Sequence, residues 1–445
     1  MSFSAAQLRA VLESITPHGT SGLVVALSGG ADSASLLMAA AAHAPFRGLP
    51  LRAVHINHGL QAAAAQFTES CAALCRRLQV PFTVISVRVD ARSGASLEAA
   101  ARDARYAALA AQLRPRECLL TAHHALDQAE TLLLQSLRGA GLAGMSAMPL
   151  CRSLGLGWHL RPLLHVPQSD LLAFGASAAA AASVPDPMNS DLRFDRNYLR
   201  ARIWPLIEAR WPGAEISLSR TARHVADAQE SLDRAAASDV ARLSDGDALQ
   251  VPGLRALSPN ERINAVRYWI CEAGVSPPTT ARLHEALRQV FAAGADRLPM
   301  IAWDGHALRR YQQRLFLTDA DPPRLEGERR LIAEPGSRID LGPRLGNLLL
   351  VARTGGIQAA RLPDSLTVRA RAGGETLKPS PQGRTQSLKH LCQSQGVLPW
   401  MRDALPLVFA QDALISVADL WTESRWCAAG APGLVCVWEH APVIV

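Results

Sequence analysis

Between residues 23 and 164 the chain alternates short apolar runs with alanine-rich amphipathic ones, and no other feature limits its fold as much. LVVAL (23–27), LRAVHINHG (51–59), PFTVISVRVD (81–90) and ECLLTAHH (117–124) read as strands, with WHLRPLL (158–164) as a fifth. The intervening ASLLMAAAAHA, QAAAAQFTESCAALCRRLQ and SLEAAARDARYAALAAQLR carry helical spacing. Strand and helix in repeated succession predict an α/β domain, a parallel sheet with helices on both faces.

In such sheets ligands sit beyond the carboxyl ends of the strands. The residues that fall there are unusually polar. Ser28-Gly29-Gly30-Ala31-Asp32-Ser33 follows the first strand, His55, Asn57 and His58 end the second, and His123, His124 and Asp127 follow the fourth. Gly29 and Gly30 let backbone amides approach an anion, and the helix beginning near Asp32 adds its positive end. Ser28 and Ser33 offer hydroxyls to phosphate oxygens. The pattern is a nucleotide phosphate cradle, although it matches neither a Walker A loop nor G-x-G-x-x-G. The competing reading is a glycine turn with Asp32 or Ser33 capping a helix; an Asp-Ser pair directly after a first strand argues against it.

A chain of 445 residues exceeds one ordinary core, and three segments differ in texture. Residues 1–215 hold the alternating pattern and close on the basic helical stretch RNYLRARIWPLIEARW, after an alanine-rich run and the connector SVPDPMNSD. Residues 216–322 are mainly helical and end in a strand pair, IAWDGHALRRYQQRLFLTD, with Asp-Gly at its turn. Residues 323–445 carry short strands, as expected of a small mixed α/β domain. No apolar run is long enough to span a bilayer, and the first residues lack a signal peptide's apolar core, so a cytoplasmic protein without a membrane partner is expected. Eight cysteines without any Cys-x-x-Cys make neither a disulfide scaffold nor a thiolate metal site; Cys71 and Cys75 read as helix packing. A formal charge of +7 favours a polyanionic partner only weakly.

The phosphate cradle resembles the SGGxDS signature of the PP-loop ATP pyrophosphatases (adenine nucleotide alpha-hydrolase-like), enzymes that split ATP to AMP and pyrophosphate while adenylating a substrate oxygen. Within that superfamily, other blocks are similar to those of the tRNA(Ile)-lysidine synthases: HINHGL (55–60), LEAAARDARY (97–106), HHALDQAET (123–131), RGAGLAGMSAM (138–148), RPLL (161–164) and the C-terminal GGETLKPSPQGRTQSLKHLCQSQGVLPWMRDALPLVF. The likeness covers nearly the whole chain. Three departures stand out. Leu126 occupies the place of the first Asp in an Asp-Asp pair, Met188 that of a Ser, and His390 that of the second Lys in a Lys-Lys pair.

The resemblance implies ATP with Mg2+ as cofactors, and L-lysine and the isoleucine tRNA with a CAU anticodon as partners. The wobble cytidine would be adenylated at its C2 oxygen and then attacked by lysine's ε-amine. A homodimer is left open. Asp32 would help hold magnesium and pyrophosphate, beside Ser28, Gly29, Gly30, Ser33 and His55. Asp127, with Glu130 and His124, would deprotonate the amine or bind lysine's cationic groups. Arg102 and Arg105 would face substrate, an Arg102 ion pair with Glu98 being the plain alternative. Arg196, Asn197 and Arg200 near the site mouth, and Lys378, Arg384, Lys389 and Arg402 in the C-terminal domain, would contact tRNA. A tRNA thiolase of the same superfamily and a non-catalytic RNA-binding relative are the alternatives.

Overall fold

The computed structural model describes residues 3–42, 44, 46–57, 64–87, 97–177, 191–294, 297–428 and 430–444. His58, Met188 and most of the connector SVPDPMNSD lie outside the described residues. Two compact units, one up to Leu232 and one from Asp233, are built around their own apolar cores.

The first unit is the expected α/β domain. Its strands are β1 (Gly22–Leu27), β2 (Leu51–Asn57), β3 (Phe82–Ser86), β4 (Glu117–Leu120), β5 (Cys151–Leu154) and β6 (Gly157–Leu160), arranged β3-β2-β1-β4-β6-β5. All neighbours run parallel except β5, which forms an antiparallel hairpin with β6. The sequence reading passed over β5 because CRSL is short and half polar. Strand β1 is buried along its whole length, which explains its unbroken apolar run: helices cover both of its faces.

On one face α1 (Ala5–Ile15), α2 (Ala31–Ala41) and α3 (Ala64–Leu78) share a core with Leu23, Val25 and Leu27. Cys71 and Cys75 lie in that core, where burial pushes their thiols up to about 12 and about 11. On the other face α4 (Leu97–Gln112) places Leu109 against Val24, Ala26, Val54, Ile56 and Leu119. Strand order reverses at β1, so its carboxyl end and that of β4 form the topological switch point.

The remaining helices of this unit are α5 (Ala125–Leu137), α6 (Leu142–Met145), α7 (Gln168–Ser177), α8 (Asp195–Tyr198) and α9 (Trp204–Arg210). Between α8 and α9 the segment Leu199–Ile203 is π-helical, and the Trp204 N–H donates to the Leu199 carbonyl five residues back. Pro205 follows at once and has no N–H for an ordinary helical bond, consistent with the local widening. Helix α10 (Ala214–Leu243) runs from the first unit into the second.

In the second unit three further helices, Val251–Ala256, Pro259–Glu272 and Thr280–Ala292, accompany a five-stranded antiparallel sheet. The expected strand pair is three strands, Met300–Trp303, His306–Tyr311 and Arg314–Asp319. Asp304 and Gly305 turn the first corner with φ of 43° and 82°, as the Asp-Gly signal requires; Gln312, at φ 53°, turns the second, which no glycine announces. The C-terminal part holds an antiparallel five-stranded sheet and a three-stranded one around a common core. No helix among the described residues is long and apolar enough to cross a membrane.

Candidate active site at the carboxyl edge of the sheet

The loop after β1 is closed by its own hydrogen bonds. Ser33 Oγ donates to the Gly30 carbonyl at 3.0 Å and accepts from the Ser28 N–H at 3.2 Å, and the two serine hydroxyls lie 3.0 Å apart. The Gly30 N–H donates to Ser28 Oγ at 3.3 Å. Gly29 has φ of 89°, and a Cβ there would fall 2.6 Å from the Phe67 ring, so both backbone and space demand glycine. Gly30 is the N-cap of α2 and brings no side chain to cap it. Neither Asp32 nor Ser33 performs the capping that a plain turn would use, which leaves the helix's positive end available to an anion.

Asp32, in the first turn of α2, reaches toward the residues after β4. His124 Nε2 lies 3.6 Å from Asp32 Oδ2 and 3.5 Å from Asp127 Oδ2, and the ring is buried. Burial alone would lower the His124 pKa, but the hydrogen bond and charge of Asp32 and the charge of Asp127 outweigh it and hold it above its ordinary value. The imidazolium so favoured links the phosphate loop to α5. Among the described residues Asp32 Oδ1 is buried without a hydrogen-bond partner, which suits a group that meets a cation on a bound nucleotide.

Asp127 also accepts the His124 backbone N–H at 3.1 Å, and its other oxygen meets Arg196 at 3.0 Å and Arg200 at 3.2 Å. Glu130, one turn on and fully buried, takes Arg196 Nε at 2.8 Å and Arg200 Nε at 2.7 Å. Burial would raise the Asp127 pKa; the charges of His124 and Arg196 pull it below the usual carboxylate range. Arg196 and Arg200 are therefore placed differently from open tRNA contacts: both forks are engaged by carboxylates of the site. Asn197 Nδ2 donates to the Asp191 carbonyl at 3.0 Å.

Leu126 points elsewhere. It is buried in an apolar cluster with Ala129, Trp204 and Ala214, so its side chain lies in packing and takes no part in the ion-pair network next to it. One residue along a helix rotates a side chain by roughly 100°, enough to place Asp127 in the site and Leu126 in the core.

At the end of β2 His55 is buried and its Nδ1–H donates to the Leu27 carbonyl at 2.8 Å, stapling two strand ends together. Burial lowers its pKa, so the ring is neutral. On α4, Arg102 is exposed with its guanidinium 5.8 Å from the Tyr106 ring centre, and Arg105 is half-buried; the Glu98 side chain lies outside the described ones. The sequence reading missed Thr121, Arg152, His159 and Arg161. Arg161 is buried with Nη1 donating to the Pro149 carbonyl at 2.8 Å, and Arg152 lies over Tyr106 at 5.2 Å. Their only sequence signal was the RPLL block and the strand end before it.

The C-terminal basic residues divide. Arg384 and Lys389 are exposed, and Lys378 is half-buried with its backbone N–H donating to Glu423 Oε2 at 2.7 Å. Arg402 differs from the expectation: it is buried, and its Nε and Nη2 both donate to the Val397 carbonyl at 3.3 and 3.2 Å. A guanidinium used inside the fold serves packing, and no sequence pattern separated it from the others. Among the described residues no group of three or more His, Cys, Asp and Glu forms a metal cage.

A parallel sheet with Ser-Gly-Gly-x-Asp-Ser at its switch point, joined by an acidic residue and a histidine to the helix after β4, defines an ATP-binding PP-loop domain. A family model described as PP-loop domain matches residues 3–207; models described as TilS substrate binding domain and TilS substrate C-terminal domain match 249–316 and 366–438. A tRNA(Ile)-lysidine synthase of Alkalilimnicola ehrlichii is 41% identical over 95% of this chain and 94% of its own length. Those of Methylococcus capsulatus and Ralstonia nicotianae are 37% and 38% identical, over 95% and 94% of this chain and 97% and 92% of their own lengths. The chain belongs to the tRNA(Ile)-lysidine synthase family and is an enzyme of it.

Proposed function

We propose that the protein joins L-lysine to C2 of the wobble cytidine of the CAU-anticodon isoleucine tRNA in two steps. ATP first adenylates the C2 oxygen with loss of pyrophosphate, and the lysine ε-amine then displaces AMP to give lysidine. One observation carries this reading. His124 lies between Asp32 of the phosphate loop and Asp127 of α5, so a nucleotide site and a cation-attracting carboxylate share one edge of the sheet.

In this reading the α2 N-terminus and the Gly29–Gly30 amides receive the pyrophosphate portion of ATP. Asp32 would hold the nucleotide's Mg2+, its unpartnered Oδ1 fitting that role; the metal would neutralise charge on the departing phosphates. Asp127, kept ionised by His124 and Arg196, accepts a proton poorly and acts as the electrostatic partner of the lysine ammonium. Glu130 is a positioning residue, holding Arg196 and Arg200 where they fix Asp127. Lys389 and Arg384, exposed on the C-terminal domain, position tRNA through its phosphates. The division into a catalytic domain (1–215), a helical domain (216–322) and a C-terminal tRNA-binding domain (323–445) is part of the proposal.

Sulfur transfer is disfavoured by the thiols. Burial raises the pKa of every one of the eight cysteines, the opposite of the shift that activates a thiolate. The test is incubation with radiolabelled L-lysine, ATP, Mg2+ and the tRNA. Label at the wobble cytidine with stoichiometric AMP is expected; pyrophosphate release without label would assign the site to another nucleophile.

A further inference from the structure

Behind the two histidines that follow β4 runs a hydrogen-bonded line, buried at its centre, that the proposed reaction leaves unused. Arg152 Nε–H donates to His159 Nδ1 at 3.4 Å, His159 Nε2 is 2.8 Å from Thr121 Oγ1, and Thr121 Oγ1 is 2.7 Å from His123 Nδ1. Thr121 and His159 are 2% and 0% exposed, so water cannot substitute for the link between them; His123 is half-buried and Arg152 reaches the surface. The Tyr106 ring, 5.5 Å from that of His159, packs against it.

We propose that Thr121 and His159 are positioning residues that hold His123 with its one proton on Nε2, so that a neutral N–H donor faces a substrate oxygen at the carboxyl end of β4. Donor counting along the line fixes each proton. A guanidinium can only donate, so His159 Nδ1 must accept and its proton sits on Nε2. That proton goes to Thr121 Oγ1. The hydroxyl has one proton of its own, and His123 Nδ1 is the side-chain acceptor it reaches. With Nδ1 accepting, a neutral His123 carries its proton on Nε2, which has no hydrogen-bond partner among the described residues.

The surroundings keep the line neutral. Around His159 stand Arg161, His123, Arg152 and Arg105; around His123 stand Asp127, Arg161, Arg105 and Arg196. Burial and the neighbouring arginines lower His159 to about 2 and His123, despite the opposing Asp127, to about 3. The two adjacent histidines are thereby set apart. His124 is driven toward its cation by two carboxylates, and His123 is kept as an uncharged donor that can polarise a carbonyl or phosphoryl oxygen without giving up its proton.

The proposal rests on the lysidine reading only for the substrate's name. The test places 15N in the histidine rings and reads the His123 nitrogens by long-range 1H–15N correlation, with His123→Gln for assignment. Wild type should show a hydrogen-bonded, unprotonated Nδ1 and a protonated Nε2 across pH 6 to 8. Thr121→Val should abolish the Nδ1 hydrogen-bond signature, and His159→Phe, which frees the Thr121 hydroxyl to accept instead, should let part of the population carry its proton on Nδ1; each should lower kcat on the order of tenfold, with the KM for ATP unchanged, and Thr121→Ser should retain the wild-type signature and kcat. A proton on Nδ1 in wild type, or full kcat in Thr121→Val, overturns the assignment. Equal losses in Thr121→Val and Thr121→Ser would reduce Thr121 to packing and overturn it as well. Failure of the wild type to incorporate lysine would count against the proposed function alone, because the ring nitrogens are read without substrate.

Discussion

Arginine and lysine occupy two regions of this molecule in opposite ways. At the carboxyl edge of the parallel sheet, Arg196 and Arg200 spend their guanidiniums on Asp127 and Glu130, and Arg161 is buried against a backbone carbonyl. In the C-terminal domain Arg384 and Lys389 stand in solvent with no ion pair among the described residues, although Arg402 nearby is buried. Identical residue types thus hold a site together in one place and present charge in the other. Burial of the anions decides between the roles: Glu130 and Asp127, held out of water, need fixed cationic partners, whereas a cation with no buried carboxylate beside it keeps its long-range field for a polyanion.

The largest effect should come from the first region. Asp32→Ala and Asp127→Ala should each cut lysine incorporation by roughly 10³-fold or more, measured with labelled lysine under single-turnover conditions. Near-normal turnover in either would remove these carboxylates from the site. Leu126→Ala, next in the chain but in the apolar cluster, should cost about 2–3 kcal/mol in urea unfolding while the folded fraction keeps its activity. Loss of activity without loss of stability would show that Leu126 touches the chemistry after all.

Arg196→Ala should destabilise by about 1–3 kcal/mol, the figure being held down because its guanidinium is partly exposed. The cost should shrink in acid. Asp127 has its folded pKa below the unfolded value, so its contribution is present above the unfolded pKa and is lost as pH falls through the folded one. An Arg196→Ala deficit that stays constant down to the acid transition would contradict the pairing.

His124 gives the opposite sign. Its folded pKa is raised, so the stabilisation is complete below about 6.5 and disappears as pH rises through the folded value. Wild type should therefore lose stability on the alkaline side of neutrality, and His124→Gln should show no such slope between pH 6 and 9; parallel curves would remove the imidazolium from the Asp32–Asp127 link.

The smallest effects separate the two regions most directly. Lys389→Ala should weaken tRNA binding a few-fold and reduce the slope of log affinity against log salt by about 1, leaving the KM for ATP unchanged. Arg402→Ala should lower stability and leave the salt slope alone. If both substitutions changed the slope equally, burial would not be the criterion that divides these cations.

Much of the architecture could be read directly from sequence. An unbroken apolar run such as LVVAL, buried on both faces, and alternating segments of different period leave few folds open, because backbone polar groups must pair and apolar faces must meet. The glycine turn after β1 was equally legible, since Gly29 answers to local requirements, a positive φ and the close Phe67 ring. The short strand β5 and the turn at Gln312 were not, as neither carries a local signal strong enough to register.

By itself, then, the chain determined the parallel sheet, the position of the glycine turn after β1 and the polar residues gathered at the strand ends, because these follow from periodicity and from rules local to a few residues. Only the tertiary structure decided which charges meet. It turned Leu126 into the core and Asp127 into the site, drew Arg196 and Arg200 from about 70 positions away onto Asp127 and Glu130, buried Arg402, and lined up His159, Thr121 and His123. Pairing energies and proton positions depend on distance and on exclusion of water, and neither is a property of residue order.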